Sequence, residues 1–296
     1  MLDGLISRRA FAGASLLSAA VPNELLAATP PAPRPEFLVT GSNSGIGRAT
    51  AQQLSANSRF VLCAARSAAA AQEAASSQGD TNYGLALGTG LEQSDLASVR
   101  DYMERLDQDF PAGVEGALLC AGVEAIPLKR TAQQIESQFA VNTLSHFLIA
   151  VELSARAAAQ RRALRLVSVT SSAAFDSTLG GGDALDLNWE ARAYDARRAY
   201  VDSKACNILI ADELQRRASS PASSPASSPA SSPGPVSSPT LLSCSADPGP
   251  TASMLVRYAL PQRAAQRATM TDDQLARQAR QLGLRTPAQA AKGLAW

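Results

Sequence analysis

The chain has 296 residues, of which 46% are hydrophobic and 18% charged, so it can bury one sizeable core, and we expect a single main domain. Its 27 Lys and Arg nearly balance 26 Asp and Glu, which excludes the basic field that attracts nucleic acid and favours a small-molecule partner. The 4 cysteines form no CxxC pair and there is 1 histidine, so we predict neither a zinc site nor a disulfide framework.

The first 35 residues predict a targeting peptide that ends in a stiff linker. Residues 7–11 (SRRAF) precede an alanine-rich apolar run, too short to span a bilayer, and a proline-rich stretch follows at residues 30–35. This order resembles the twin-arginine signals that direct import into the thylakoid lumen or export to the bacterial periplasm. We expect a plastid location, with the periplasm as the alternative. The other interpretation is a disordered leader whose arginine pair is accidental.

From Glu36 onward, short apolar runs alternate with longer helical stretches. Strands are predicted at residues 37–39, 59–64, 83–87, 116–120, 164–169 and 240–245, with one helix at 48–56 and another continuing through 214. This βαβ rhythm predicts an α/β fold over residues 36–296, with a doubly wound parallel sheet and helices on both faces. Four Ala-Ser-Ser-Pro repeats, which cannot form a core, predict a disordered insertion at residues 218–239.

A glycine-rich segment, TGSNSGIG at residues 40–47, directly follows the first strand and opens a helix. Glycine permits the tight turn and the close approach of backbone to a pyrophosphate, and the helix N-terminus offers N–H groups to anionic oxygens. A glycine-rich turn without a ligand is the alternative. The TGxxxGxG spacing resembles the short-chain dehydrogenase/reductase family and implies a single-domain Rossmann fold. The predicted cofactor contacts here are Gly41, Ser42, Asn43, Ser44, Gly45, Ile46 and Gly47.

Arg66 follows the second strand, where an enzyme that binds NAD usually has an acidic residue. An arginine favours the additional phosphate of NADP(H), which is our predicted cofactor, although a solvated arginine is the alternative. The family resemblance implies that Glu92 and Gln93 bracket the adenine, with Glu92 in the position of the family's aspartate. It further implies cofactor contacts from Cys120, Ala121 and Gly122, where cysteine replaces an asparagine, and from Pro248, Gly249 and Ser253.

Tyr200 and Lys204 lie four residues apart, hence on one helix face. An ammonium, together with an oxidised nicotinamide, would stabilise the phenolate and lower the pKa of the tyrosine from about 10. The resemblance implies that Ser171 orients the substrate oxygen, with Ser172 as its nearest competitor. It also implies that Asn142 binds a water linking Lys204 to solvent. Tyr200, Lys204, Ser171 and Asn142 are therefore the predicted catalytic group.

The sequence around Tyr200 most resembles light-dependent protochlorophyllide reductases and retinol-dehydrogenase-like enzymes. We therefore predict hydride transfer between NADP(H) and a carbonyl or alcohol or, by resemblance, protochlorophyllide. The expected substrate is an apolar carbonyl compound or a tetrapyrrole, no stable membrane span is expected, and a homo-oligomer is compatible with the sequence. The alternative is an inactive NADP(H)-binding scaffold or sensor. His146 is predicted to be a helix-packing residue.

Overall fold

The computed structural model describes residues 34–78, 83–179, 186–219, 241–252, 274, 277–278 and 281–294. Nearly all of the predicted targeting peptide, the predicted insertion from residue 220 onward, and Ser253 lie outside these ranges. In the part of the chain that is described, no helix combines the length and the apolar character needed to cross a bilayer.

Within the described ranges, six strands form one parallel sheet in the order β3-β2-β1-β4-β5-β6, which confirms the predicted doubly wound arrangement. Both faces of the central strands are buried, and this explains why their sequences are continuous apolar runs rather than alternating ones. The strands are β1 (Phe37–Thr40), β2 (Val61–Ala64), β3 (Gly84–Leu85), β4 (Gly116–Leu119), β5 (Leu164–Val169) and β6 (Leu241–Ala246).

Helices cover both faces of this sheet. Leu38 and Val39, which are consecutive in β1, belong to two different apolar clusters, as expected when successive side chains of a strand point to opposite faces. The helices are α1 (Gly45–Ala56), α2 (Ala68–Ser76), α3 (Leu96–Asp109), α4, α5 (Ala196–Ala218) and α6 (Pro287–Ala291). Helix α4 is continuous but changes type, being α-helical at Ser137–Phe139, π-helical at Ala140–Leu144 and α-helical again at Ser145–Ala159.

Several predicted boundaries are wrong by a few residues. Helix α1 begins at Gly45 rather than at residue 48, because the end of the glycine-rich segment itself forms the first helical turn. Strand β3 has only two residues, and it is an edge strand that pairs with β2 alone. Helix α5 ends at Ala218, so the residue at which the insertion was predicted to start is still helical.

The strand order reverses between β1 and β4. Connections leave these two neighbouring strands toward opposite faces of the sheet, which opens a crevice at their carboxyl ends, where ligands of doubly wound proteins bind. The fold therefore brings the segments after β1 and β4 together.

Candidate active site

A cavity of about 860 Å³ lies at the carboxyl ends of the strands. It unites most of the residues that the sequence analysis singled out, whereas Ser42 and Asn142 do not line it and Ser253 lies outside the described residues. The predicted residues that line it are Gly41, Asn43, Ser44, Gly45, Ile46, Gly47, Arg66, Glu92, Gln93, Cys120, Ala121, Gly122, Ser171, Tyr200, Lys204, Pro248 and Gly249.

The loop between β1 and α1 is held by close backbone packing. Gly41 has a φ of 66°, and a Cβ atom there would lie 2.9 Å from the Cα atom of Ala121. A Cβ atom on Gly47 would collide with the carbonyl oxygen of Gly41, so this glycine allows α1 to pack on the loop. Ser42 is fully buried and its hydroxyl donates to the carbonyl of Ala64 at 3.1 Å. Ser42 therefore fixes the loop to the end of β2 rather than facing the cavity.

The end of the cavity beside β2 contains an ion pair. Arg66 Nε lies 3.4 Å from Glu92 Oε2, and the Arg66 side chain is 73% exposed. Glu92 Oε1 also accepts hydrogen bonds from the backbone and hydroxyl of Ser94. The neighbouring Gln93 uses its Nε2 to donate to Ser145 at 2.7 Å, which fastens this segment to α4. Arg66 is thus close to the pair predicted to bracket adenine, and in the part of the chain that the structure describes only a weak exposed contact holds it there.

Thr40 and His146 connect the ends of β1 and β4 to helix α4. The Thr40 hydroxyl accepts from the backbone N–H of Ala121 and donates to His146 Nε2, both at 3.0 Å. His146 Nδ1 lies 3.2 Å from the carbonyl oxygen of Asn142, and because a carbonyl only accepts, Nδ1 carries the proton. Burial lowers the pKa of His146 to about 3, so the ring is neutral. His146 is buried in its helix, as predicted, and through Thr40 it also fixes the ends of β1 and β4 beside the cavity.

Asn142 lies in the π-helical part of α4 and is fully buried. Its Oδ1 accepts from the N–H of Val123 at 2.8 Å, and its Nδ2 donates to the carbonyl of Val123 and to the hydroxyl of Ser203, each at 2.9 Å. The Ser203 hydroxyl in turn donates to the carbonyl of Tyr200 at 2.7 Å. Through its two amide hydrogens, Asn142 therefore joins the loop after β4 to helix α5. The water that Asn142 is expected to bind stays a prediction.

Tyr200 and Lys204 face the cavity from α5, on one side of the helix as predicted. Lys204 Nζ donates to the carbonyl of Val169 at 2.8 Å and lies 5.8 Å from the centre of the Tyr200 ring. Burial lowers the pKa of Lys204 to about 8, so the ammonium is the main form at neutral pH. The end of β5 therefore holds the charge of Lys204 beside the tyrosine.

The protein's own groups raise the pKa of Tyr200 rather than lowering it. Burial is the largest cause, and the negative charges of Glu124 and Asp247 act in the same direction. A hydrogen bond from the Ser171 hydroxyl opposes them only in part. The predicted lowering by Lys204 is thus not produced by the protein alone, and Tyr200 is protonated at neutral pH.

Sequence reasoning missed two acidic residues of this site, besides Arg197, which lies on α5 and also lines the cavity. Asp247 accepts from the backbone N–H of Ser172 at 3.0 Å and of Gly249 at 2.9 Å, and so joins the ends of β5 and β6. Glu124 follows the loop after β4 and also lines the cavity. Each lies within two residues of a predicted motif, so proximity to those motifs was the available signal.

Comparisons with known proteins point to the family that the glycine-rich segment resembles. The sequence profile described as short chain dehydrogenase matches residues 36–182. Human retinol dehydrogenase 13 is 32% identical over 188 residues, which are 62% of this chain and 55% of that protein. Mouse polyprenol dehydrogenase is 36% identical over 194 residues, which are 63% of this chain and 56% of that protein. The chain thus spans about half the length of the curated relatives it matches.

Solved structures show the same fold. A short-chain dehydrogenase from Sphingobium yanoikuyae in complex with NADPH superposes with a TM-score of 0.58 at 17% identity, over 88% of this chain and 82% of that one. An uncharacterised protein from Mycobacterium paratuberculosis gives a TM-score of 0.56 at 29% identity, over 72% of this chain and 67% of that one. None of these comparisons shows the predicted resemblance to protochlorophyllide reductases.

Proposed function

The chain belongs to the short-chain dehydrogenase/reductase family, and from this premise we propose that it is an NADP(H)-dependent oxidoreductase acting on a carbonyl or alcohol. One observation carries the proposal, namely that a single cavity contains a proton donor, an orienting hydroxyl and an ammonium at one end. Its other end contains the N-terminus of α1 and an arginine. These are the groups needed to bind a dinucleotide and to move a proton.

The residues suit a nicotinamide cofactor, which supplies or accepts the hydride when bound. Ser171 would donate a hydrogen bond to the substrate oxygen and hold it near Tyr200. Tyr200, protonated at neutral pH, would donate its proton to that oxygen, and the Lys204 ammonium would stabilise the remaining phenolate. Asn142 would keep α4, α5 and the loop after β4 in register. Alcohol oxidation would reverse these proton movements.

Substitution of Tyr200 by Phe distinguishes an enzyme from a nucleotide-binding scaffold. We expect Tyr200→Phe to reduce NADPH-dependent turnover by about a hundredfold or more, because the proton donor is lost. NADPH binding, measured by quenching of protein fluorescence, should persist. Full activity in Tyr200→Phe would remove the proposed acid. NADPH binding by the wild type without turnover of any aldehyde, ketone or retinoid would favour the scaffold.

Preference for NADP(H) is proposed from Arg66. Among the described residues, the guanidinium at the end of β2 is held only by an exposed contact with Glu92, so it is free to turn toward a phosphate. We expect Arg66→Ala to weaken NADPH binding about tenfold while changing NADH binding by no more than about twofold. Arg100→Ala, on the exposed face of α3, is the matched control. Equal losses for NADPH and NADH would refute the assignment.

The relatives named retinol dehydrogenase and polyprenol dehydrogenase support an alcohol or carbonyl as the substrate. Reduction of protochlorophyllide stays a prediction from the local sequence around Tyr200. The two are separated by assaying NADPH oxidation in the dark with aldehydes, ketones and retinoids, and under illumination with protochlorophyllide. Turnover that depends on light would favour the pigment, and turnover in the dark would favour the carbonyl.

A plastid location, or alternatively the periplasm, is likewise proposed from residues 1–35. A fluorescent protein carrying residues 1–35 should enter plastids or, in a bacterium, reach the periplasm only when the arginine pair is intact. Substitution of Arg8 and Arg9 by lysine is the control. Unchanged cytoplasmic fluorescence of both fusions would contradict the targeting role.

A further inference from the structure

The loop that follows β4 is clamped on both sides of one acidic residue. Asn142 bonds both the N–H and the carbonyl of Val123, at 2.8 and 2.9 Å. Two residues later, the N–H of Ala125 donates to Gln138 Oε1 at 2.8 Å. Ala125 has a φ of 49°, in the left-handed region that costs a residue other than glycine about 1 kcal/mol. Glu124 is therefore held between two fixed neighbours.

The side chain of Gln138, which holds Ala125, is itself fixed by its surroundings. Gln138 is fully buried, and its Nε2 donates to the hydroxyl of Tyr194 at 2.9 Å and to the carbonyl of Ala196 at 2.8 Å. Glu136 accepts from the N–H groups of Gln138 and Phe139, which fixes the first turn of α4. The side-chain amides of Asn142 and Gln138 are each hydrogen-bonded both to this loop and to a second part of the protein. The backbone around Glu124 therefore has little freedom to adapt.

Glu124 presents its side chain to the same end of the cavity as Tyr200. Both residues line the cavity, and the charge of Glu124 acts on both Tyr200 and Lys204. Within the described residues, the Glu124 carboxylate accepts no hydrogen bond and lies within 4 Å of no cation. Partial burial raises its pKa, which reflects the cost of keeping a carboxylate there without a partner.

Among the described residues, three other charged groups line this end of the cavity, and each has a contact of its own. Asp247 accepts from the backbone of Ser172 and Gly249. Lys204 is bonded to the carbonyl of Val169, and Arg197, whose side chain is 66% exposed, lies 3.6 Å from Asp176. Asp247 contributes a second negative charge to this end of the cavity. Lys204 and Arg197 balance the charges of Glu124 and Asp247, but Glu124 alone of these four has no hydrogen-bond or ion-pair partner among the described residues. A positively charged group on a ligand would therefore supply the partner that Glu124 lacks.

We propose that Glu124 is a specificity-determining residue that selects substrates carrying a protonated amine on the same side as the reacting carbonyl or alcohol. This proposal rests on the proposed oxidoreductase function, since it concerns the substrate end of the same site. Because the backbone on both sides of Glu124 is fixed, a charge-assisted hydrogen bond from an ammonium group has to order only the side chain of Glu124. The substrate class is thereby narrowed from carbonyl compounds and alcohols in general to amino-carbonyls or amino-alcohols, which departs from the apolar substrate expected from the sequence.

Three acetophenones of similar shape test the proposal. They carry a para aminomethyl group, a para ethyl group or a para carboxylate, so their charges at pH 7.5 are positive, neutral and negative. Dissociation constants are measured by calorimetry on the full chain saturated with NADP⁺, after NADPH binding has been checked separately by fluorescence. We expect the cationic compound to bind about tenfold more tightly than the neutral one, and the anionic compound to bind most weakly.

The variants assign this preference to one side chain. Glu124→Gln keeps the shape but not the charge, and it should reduce the ratio between cationic and neutral compounds to within about twofold. Glu124→Asp should retain part of the preference, and Glu104→Gln, on the exposed face of α3, should retain all of it. Thermal unfolding of Glu124→Gln shows that it folds.

The outcomes separate this proposal from the function on which it rests. Equal affinities for the three compounds, undetectable binding of all three, or an unchanged ratio in Glu124→Gln would each overturn the role of Glu124. Failure of the wild type to bind NADPH would instead overturn the proposed cofactor.

Discussion

We expect substitution of Lys204 by Met to stabilise the protein against unfolding, by an amount that depends on pH. Lys204 is 3% exposed, and burial lowers its pKa from 10.5 to about 8. Because the pKa in the folded protein is below that in the unfolded chain, the unfolded chain binds the extra proton between these pH values. Stability therefore rises through this window and is lowest below about pH 8. The two pKa values differ enough to make the change about 3 kcal/mol.

Urea unfolding of wild type and Lys204→Met without nucleotide measures this effect. Met removes the buried charge but also the hydrogen bond to Val169, which contributes about 1 kcal/mol. At pH 7 we expect Lys204→Met to be more stable than wild type by about 2 kcal/mol. Near pH 10.5 the order should reverse, since the lysine is then neutral in the folded protein and half neutral in the unfolded chain, so little of the burial penalty remains.

The difference between the two proteins is the informative quantity, since other groups that titrate at high pH are common to both. Lys129→Met, in an exposed position, should show no dependence of this kind. A stability difference between wild type and Lys204→Met that stays constant from pH 7 to 10.5 would refute the reasoning from burial.

Two further predictions follow from the packing of the site. Asn142→Ala leaves the N–H and the carbonyl of Val123 without partners. It should therefore lower the free energy of unfolding, measured in urea titrations, by about 3 kcal/mol. A loss below about 1 kcal/mol would mean that water replaces the amide. Gly47→Ala should weaken NADPH binding at least about tenfold in fluorescence titrations, because the new methyl group displaces the loop, whereas Gly88→Ala has open space and should bind normally.

The arrangement of the sheet was predictable because each strand is a local apolar run. Residues 164–169 were predicted as a strand and form β5 without change, since four of its six residues are buried and it pairs with β4 and β6 on its two sides. The extent of β3 was not predictable in the same way. Its two residues are set by pairing with β2 alone, and a local pattern carries no information on where a neighbouring strand ends.

The residues of the site likewise divide into those that a local pattern predicts and those that it does not. Spacing within one helix predicted Tyr200 and Lys204, and spacing within one glycine-rich segment predicted Gly41 and Gly47. The bond between Thr40 and His146 joins residues that are 106 positions apart, and Gln138 meets Tyr194 across 56 positions. Neither the π-helical segment nor these contacts has a local signal, because each depends on how α4 packs against two other elements.

The pKa of Tyr200 depends on groups that the Tyr-Lys motif does not contain. A lysine four residues away lowers the pKa of a tyrosine only if its charge outweighs burial and nearby anions. Lys204 is held at the carbonyl of Val169, while Glu124 and Asp247 approach Tyr200 from the ends of β4 and β6. The groups that decide the sign are therefore distant in sequence. Because Tyr200 keeps its proton at neutral pH, we expect carbonyl reduction, in which the tyrosine is the proton donor, to be faster at pH 7 than alcohol oxidation.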